Sequence, residues 1–357
     1  MTPSEKQGTI RPATPVSPGG RDHLASGRAQ ARRRSREVDG RIRALFDSRP
    51  GRGNDGWSIA AVGGYGREEL CPHSDIDLLI VLEKRGSPDE IQAILSAIVY
   101  PLWNDGLSAS YSIRTIRQAL GDSRSDFFFQ TALMDMRHLC GDNRVFDRLA
   151  QDLSKRRHGT RAARQFYRDL ALHNRKRHAK HGDASYILEP DLKNGQGGLR
   201  DVHGMLWLAK AVADIRDPEG LETSGIINGL DRLELEHALD FLLRLRFRLH
   251  VISGRKNDRL SFEHQEIIGR ELAFEGCRTR TAVEMLMRDL HRSTLAIKSI
   301  STAVIASLGT RLYPTVHQSS RTVGRSFTLS SGLIAFADHD RGCPEKLITI
   351  FEPISVH

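Results

Sequence analysis

Short apolar runs dominate the chain between residues 57 and 115. Trp57–Val62 and Ile76–Leu82 are mostly apolar and rich in β-branched and leucine residues, which predicts two buried strands. Ala109–Thr115 alternates between more apolar and more polar residues like a third strand. Between them, Ile91–Trp103 carries apolar residues at helical spacing and should pack on the sheet. Residues 39–150 are therefore predicted to form a mixed-sheet domain.

Beyond about residue 155 the apolar spacing changes to the helical period. Two long stripes in one segment predict amphipathic helices and hence a helical bundle. We place this α-helical domain at 151–310 and a C-terminal segment at 311–357, so that the fold class is α+β. The two stripes consist of Leu235, Leu239, Leu242, Leu245, Leu249 and Ile252, and of Val283, Leu286, Leu290, Ile297, Ile300, Val304 and Leu308.

The N-terminal segment 1–38 is rich in Pro, Gly and Ser and is predicted to be a disordered basic tail. The net charge of the chain is +9, and residues 1–50 hold eleven Lys/Arg against five Asp/Glu, so most of the excess lies there. The rest of the chain is nearly balanced. A solvated tail is therefore favoured over contact with nucleic acid or a membrane.

Bulk composition predicts a globular cytoplasmic protein. Hydrophobic residues make up 39% and charged residues 27% of the chain. No uninterrupted apolar run approaches the roughly 20 residues of a membrane span, and no signal peptide is recognisable. The four cysteines (Cys71, Cys140, Cys277 and Cys343) form no C-x-x-C pair, so neither a disulfide framework nor a zinc site is expected.

The sequence Gly63-Gly64-Tyr65-Gly66-Arg67 is followed by Ser74-Asp75-Ile76-Asp77. A strand that ends in Gly-Gly lets the backbone approach a phosphate closely and turn into a helix. Aspartates at i and i+2 of a strand lie on the same face, so Asp75 and Asp77 can hold Mg²⁺ against a triphosphate. Each element alone is weak, because Gly-Gly-x-Gly also forms plain turns and Asp-x-Asp is often solvated. The combination predicts a nucleotidyltransferase site.

Several assignments around this pair stay open. Arg67 either faces the triphosphate or pairs with Glu68 or Glu69, and Ser74 either binds phosphate or caps the start of the strand. A third metal-binding carboxylate is often supplied by a later strand, but residues 110–115 contain no acid. Asp135 has an apolar-acid-apolar setting and is the remaining candidate metal ligand, although its segment could equally be a helix.

A second motif runs from Lys193 to Asp201. Its glycines form a loop that opens an apolar helix, where Asp201 suits the helix start and Lys193 or Arg200 could reach phosphate. A purely structural turn and cap explains the same residues equally well.

The segment Gly63–Leu79 resembles the nucleotidyltransferase signature of the bacterial PII uridylyltransferase family. Further family motifs follow in the same order, and the resemblance covers about residues 40–355. Glutamine synthetase adenylyltransferase is more distantly similar, and its usual third acid on the strand equivalent to 110–115 is absent here. The additional motifs are SYSIRT (110–115), TALMDMRHLCGD (131–142), YILEPDLKNGQGGLRDVHGMLWLAK (186–210) and RFRLHVISGRKNDRLSFEHQ (246–265).

The resemblance implies a polymerase-beta-like nucleotidyltransferase domain that moves UMP from UTP to a tyrosine of the PII signal protein, with Mg²⁺, or alternatively Mn²⁺, as the metal. Asp75 and Asp77 would be catalytic, and Gly63 and Gly64 would cradle the triphosphate. It also adds Lys193, Arg200 and Asp201 to the nucleotide-binding candidates, beside Arg67 and Ser74. The alternatives are adenylylation of glutamine synthetase, and a truncated fragment that binds PII or nucleotide without turnover.

Family members continue into an HD hydrolase domain and two ACT domains, whereas this chain ends at His357, about where the HD domain would begin. His339-Asp340 lacks the other residues of an HD metal set and is interpreted as a chance occurrence. The removal of UMP and the sensing of glutamine are therefore not expected of this chain.

Overall fold

The computed structural model describes residues 26–49, 56–157, 159–272, 281–314, 321–323, 327–330 and 333–336. The chain divides into two compact units, Met1–Leu308 and Gly309–His357. The first unit contains the sheet and the helices that carry all the predicted site residues.

A four-stranded mixed sheet forms the centre of the α/β part. Strands β1 (Trp57–Ala61), β2 (Ile76–Leu82) and β3 (Ala109–Thr115) confirm the three predicted strands, and β4 (Arg137–Gly141) was not predicted. The strand order is β3-β2-β1-β4, in which β2 is antiparallel to β1 and parallel to β3, while β4 is antiparallel to β1. The mixed sheet confirms the predicted α+β class.

Both faces of β1 and β2 are covered by apolar helices. Ile59, Ile80 and their neighbours pack against one layer, whereas Leu79 and Val81 pack against a second layer on the other face. Strands that are buried on both faces need apolar residues at nearly every position. This explains the continuous apolar runs from which both strands were predicted.

The predicted helix over 91–103 is present as three joined segments. Ser87 begins it with a capping box to Glu90, and Pro88 occupies the first turn. The helix α3 (Pro88–Ile94) continues through a π-helical turn (Leu95–Val99) into α4 (Tyr100–Asn104).

The tail prediction is wrong for residues 27–38, which lie in helix α1 (Gly27–Ser48). Ser26 caps the helix, and Ala31, Val38 and Ile42 form a buried stripe at helical spacing. Charged residues cover the other face, so the segment has few apolar residues and its composition resembles that of a disordered tail. Residues 1–25 lie outside the described part of the chain.

The region between β3 and β4 corrects the reading of residues 132–139. Asp126 caps helix α6 (Phe127–Met134) by accepting hydrogen bonds from two backbone amides, and the helix ends before Asp135. Strand β4 then begins at Arg137. The segment is thus neither a helix nor a strand throughout, and Asp135 lies in the connection.

The predicted helical bundle is confirmed by one apolar cluster that joins both predicted stripes. The stripes belong to α11 (Gly229–Ser253) and α13 (Ala282–Leu312). The remaining helices are α2 (Gly63–Gly66), α5 (Ile116–Ser125), α7 (Asn143–Arg157), α8 (Thr160–His181), α9 (Leu199–Ala213), α10 (Pro218–Thr223) and α12 (Phe262–Glu271).

Helix α13 is long and apolar enough to cross a membrane by length and composition alone. Its Leu286, Leu290, Ile297 and Val304 side chains are nevertheless fully buried in the helical cluster. A core helix needs the same apolar composition, so its packing accounts for the sequence.

The second unit contains a three-stranded antiparallel sheet, which was not predicted. Its strands are β5 (Arg321–Val323), β6 (Phe327–Ser330) and β7 (Leu333–Phe336), in that order. The His339-Asp340 pair, which was interpreted as a chance occurrence, lies outside the described residues, as do Cys277 and Cys343. Within them, Cys71 and Cys140 are buried free thiols.

Candidate functional site

A cavity of about 210 Å³ lies between the start of β2, the N-terminal part of α9 and one face of α6. The structure brings most of the predicted site residues together around it, although they come from positions up to about 140 residues apart. The predicted residues that line this cavity are Gly63, Gly64, Arg67, Ser74, Asp75, Asp77, Lys193 and Arg200.

Asp75 and Asp77 form the acidic side of the cavity. Ser110 Oγ donates a hydrogen bond of 2.6 Å to Asp77 Oδ1, and Ser108 Oγ donates one of 3.1 Å to Asp75 Oδ1. Asp75 Oδ2 also pairs with the Lys256 ammonium. Burial opposes ionisation of Asp75, but this ammonium and the Ser108 hydroxyl hold its pKa below the ordinary value. Asp75 therefore faces a cation, whereas the contact of Asp77 is with a hydroxyl group.

These two carboxylates fit a hard divalent cation. Mg²⁺ is commonly bound by one or two carboxylates while substrate phosphates and water complete its coordination. Ser110 faces Asp77 across the parallel strand pair. In the described part of the chain no group of three or more His, Cys, Asp or Glu side chains could hold a metal ion. A metal bound by Asp75 and Asp77 would complete its coordination with water and with oxygen atoms of the substrate.

Gly63 brings the backbone close to this pair. Its φ of +57° lies in the left-handed region, which favours glycine, and a Cβ at this position would lie 3.6 Å from Asp77 Oδ2. The strand therefore turns beside the carboxylates without placing a side chain over them.

Lys193 and Arg200 form the basic side of the cavity. Burial, reinforced by the nearby Arg246 charge, lowers the pKa of Lys193 to about 8. Burial and Arg67 lower the pKa of Arg200 to about 10, and its guanidinium lies 5.4 Å above the Trp207 ring. Within the described residues neither cation has a hydrogen-bond or ion-pair partner. Two desolvated cations without a direct ion-pair partner favour an anionic ligand.

Arg67 follows the ion-pair alternative, because its guanidinium is held by two carboxylates. Its Nε donates to Glu69 Oε2 at 2.8 Å, and its Nη1 pairs with Asp135. Trp207 Nε1 donates to both oxygens of Asp135 at 3.0 and 2.9 Å. Asp135 does not line the cavity, and its oxygens are already occupied. The structure therefore does not bring Asp135 to the predicted metal position.

Asp201 and Ser74 have local partners. The Asp201 carboxylate pairs with Arg177 and with His178 Nε2 at 2.9 Å, and it accepts the Gly197 amide at 2.7 Å. Asp201 is buried away from the cavity and fixes the start of α9. Ser74 lines the cavity, but its hydroxyl accepts the Cys71 amide at 3.0 Å and thereby closes the turn before β2.

The sequence reasoning missed several lining residues, among them Glu69, His203, Trp207 and Lys256. His203 is almost fully buried and contacts Glu69, and burial together with the Arg67 charge lowers the pKa of its ring to about 3. Each of the four lies within one of the motifs that carry the family resemblance. Their residue types alone do not distinguish them from core or surface residues, and only their contacts in the folded protein do. Phe128, also missed, exposes 69% of its surface at the cavity.

Comparisons with known proteins find similarity to one family of enzymes. A family model described as GlnD PII-uridylyltransferase matches residues 145–305. This part of the chain is therefore similar to that family. The matched segment contains the cationic Lys193 and Arg200, whereas Asp75 and Asp77 precede it.

Curated relatives extend the similarity to the acidic side of the cavity. The chain is 31% identical over 320 residues to the bifunctional uridylyltransferase/uridylyl-removing enzyme of Nitrosospira multiformis, which covers 88% of this chain and 35% of that protein. It is 33% identical over 282 residues to the same-named enzyme of Burkholderia lata, covering 79% and 32%. For that of Bordetella avium the identity is 31% over 296 residues, covering 83% and 34%. The chain thus spans about a third of the length of these relatives.

Proposed function

We propose that this chain is a uridylyltransferase that moves UMP from UTP to a tyrosine hydroxyl of a PII regulatory protein, in the cytoplasm and with Mg²⁺. The observation that carries the proposal is that carboxylates and unpaired cations line one cavity. Asp75 and Asp77 line it together with Lys193 and Arg200, whose side chains have no ion-pair partner among the described residues. A metal-bound triphosphate has the complementary distribution, because its metal needs carboxylates while its phosphates need cations.

The residues have separate roles in this proposal. Asp75 and Asp77 hold the metal end of the nucleotide, and bound Mg²⁺ would neutralise charge on the phosphates. Lys193 and Arg200 bind and orient the phosphate oxygens, while Gly63 allows the backbone to come close to them. Arg67 would not bind the ligand, and its ion pairs with acids would instead stabilise the residues around the cavity.

The reaction would replace a phosphoanhydride bond of UTP by a phosphodiester bond to the acceptor. The acceptor hydroxyl oxygen forms a bond to the α-phosphorus, the bond from that phosphorus to the bridging oxygen breaks, and pyrophosphate leaves while the hydroxyl loses its proton. The choice of a uridylyl donor is supported by the names of the matching family and relatives, and the choice of PII by the name of the family. The tyrosine acceptor rests on the sequence resemblance alone.

The test is transfer of label from α-labelled UTP to purified PII by Asp75→Asn/Asp77→Asn. We expect a loss of at least about a thousandfold in rate, because charge stabilisation supplies much of such catalysis. The matched control is Asp147→Asn/Asp152→Asn on α7, which removes two acids remote from the cavity and should keep full activity. Melting curves check that all variants fold.

Near-normal transfer by a folded Asp75/Asp77 variant would refute the proposed roles. The donor is checked in parallel by competition between UTP and ATP, and the acceptor by offering glutamine synthetase beside PII. Equal or greater use of ATP, with label on glutamine synthetase, would assign the cavity to adenylyl transfer instead.

A further inference from the structure

A second and larger cavity, of about 870 Å³, lies on the opposite face of helix α6. Phe128, Thr131 and Ala132 of this helix line the first cavity, which is proposed to bind the nucleotide. Gln130, Leu133 and Met134 line the larger one. Residues three and four apart share a helix face, so the two sets point in opposite directions. The larger cavity is therefore a separate site and not an extension of the first. It is named the arginine cavity below.

The arginine cavity is strongly basic at its rim. Five arginines line it, and Asp169 is the one acidic residue among its described lining residues. Four of the arginines are exposed, while Arg157 is half-buried. The arginines are Arg124, Arg156, Arg157, Arg161 and Arg168.

Two of these arginines, Arg156 and Arg157, have no carboxylate partner among the described residues. Arg157 has no hydrogen-bond or ion-pair partner there, and burial lowers its pKa. Arg156 donates to the Leu120 carbonyl oxygen at 2.9 Å, and Asp169 accepts hydrogen bonds from Gln165. Like charges that line one cavity repel each other, and an anion bound among them would reduce this repulsion.

The floor of the same cavity is apolar. Leu133, Leu153 and Phe166 are buried side chains that line it below the arginines. Small-molecule sites typically have volumes of roughly 300–1,000 Å³ and combine apolar walls with a few charged groups. The arginine cavity has this size and composition, and arginine is well suited to bind phosphate oxygens in pairs.

We propose that the arginine cavity is a second binding site for a small molecule that carries several phosphate groups. The arginines of the rim would bind the phosphates, and the apolar floor would accept the rest of the ligand. The inference rests on the charges and shape of this cavity, so it does not depend on the uridylyltransferase proposal.

The experiment is calorimetric titration of the full chain with inorganic tripolyphosphate, without metal, at low ionic strength. We expect two equivalents to bind. Arg157→Gln/Arg161→Gln should weaken one equivalent by about tenfold or more, because hydrogen bonds to charged groups are lost. Lys193→Gln/Arg200→Gln should weaken the other. The matched control is Arg175→Gln/Lys176→Gln on the exposed face of α8, which should change neither.

Each outcome has a distinct meaning. A single equivalent that only the Lys193/Arg200 variant removes would overturn the proposal, as would two equivalents that survive in the Arg157/Arg161 variant. A single equivalent lost only in the Arg157/Arg161 variant would support the second site while counting against triphosphate binding at the first. If that variant fails to fold, Arg124→Gln/Arg161→Gln tests the exposed rim alone. Binding of an oligoglutamate peptide in preference to tripolyphosphate would also overturn it, because the site would then recognise protein.

Discussion

Replacing Lys193 by methionine should make the empty protein more stable and the nucleotide complex weaker. Burial and the Arg246 charge lower the pKa of Lys193 from 10.5 to about 8. Each pKa unit corresponds to about 1.4 kcal/mol, so keeping this lysine charged at neutral pH costs the folded state about 3 kcal/mol. Methionine keeps a similar side-chain length without the charge. We therefore expect the free energy of unfolding to rise by about 2–3 kcal/mol.

The pH dependence gives this expectation a sign. Between pH 8 and 10.5 the unfolded chain, in which Lys193 has its ordinary pKa, binds more protons than the folded protein. The contribution of Lys193 to stability therefore increases as pH rises through this window, and below it the penalty is constant. The free energy of unfolding of Lys193→Met should therefore rise less between pH 8 and 10.5 than that of the unaltered protein. Lys176→Met, at an exposed position of α8, is the matched control and should follow the unaltered protein.

Nucleotide binding should change in the opposite direction. Without the ammonium, the affinity for UTP is expected to fall by about tenfold or more. In the unaltered protein, the affinity should fall as pH rises above about 8, because Lys193 loses its proton in the free state. Urea unfolding at several pH values and calorimetric titration with UTP measure the two effects. A variant that is no more stable, yet binds UTP normally, would refute the role given to Lys193.

Three further changes test other parts of the site. Gly66→Ala should lower the free energy of unfolding by about 1–3 kcal/mol or more, because a Cβ there would lie 2.0 Å from a backbone oxygen. Gly40→Ala is the control and should have no such effect, since a Cβ there would meet no atom within 4 Å. Equal melting temperatures of the two variants would contradict this. Asp201→Asn should cost about 3 kcal/mol through its buried arginine and histidine partners, and an unchanged urea midpoint would show that the carboxylate is not structural. Lys256→Gln removes the ion pair with Asp75 and should tighten Mn²⁺ binding in the absence of nucleotide by about two- to fivefold, measured by electron paramagnetic resonance. Unchanged or weaker binding would show that Lys256 does not compete with the metal for Asp75.

The parts of the fold that the sequence predicted share a physical cause. β2 and β3 have the predicted boundaries, and β1 differs by a single residue, because alternation and full burial leave a direct pattern in the residue types. The placement of Asp75 and Asp77 on one face follows from the strand period alone. Long helices such as α11 and α13 leave an equally direct stripe.

The missed parts lack such a pattern. In β4 (Arg137–Gly141) only Leu139 and Cys140 are buried, so the strand has no apolar run. The pairing of Lys256 with Asp75 joins positions 181 residues apart, and no local pattern encodes such a contact. Arg67 likewise pairs with Asp135, which lies far along the chain and comes close to it only in the folded protein.

The position of α1 has a consequence for the order in which the protein forms during synthesis. Ser26 Oγ donates to Asp240 Oδ1 at 2.5 Å, and Gly27 packs against the backbone of Arg244, over 200 residues later in the chain. Helix α1 is synthesised well before α11 and therefore cannot complete its packing until α11 has been made. Contacts of such long sequence separation form slowly, and the waiting surface is prone to association. A fragment that stops before α11 would keep the end of α1 uncovered, so the sheet domain should be expressed together with its helical neighbour.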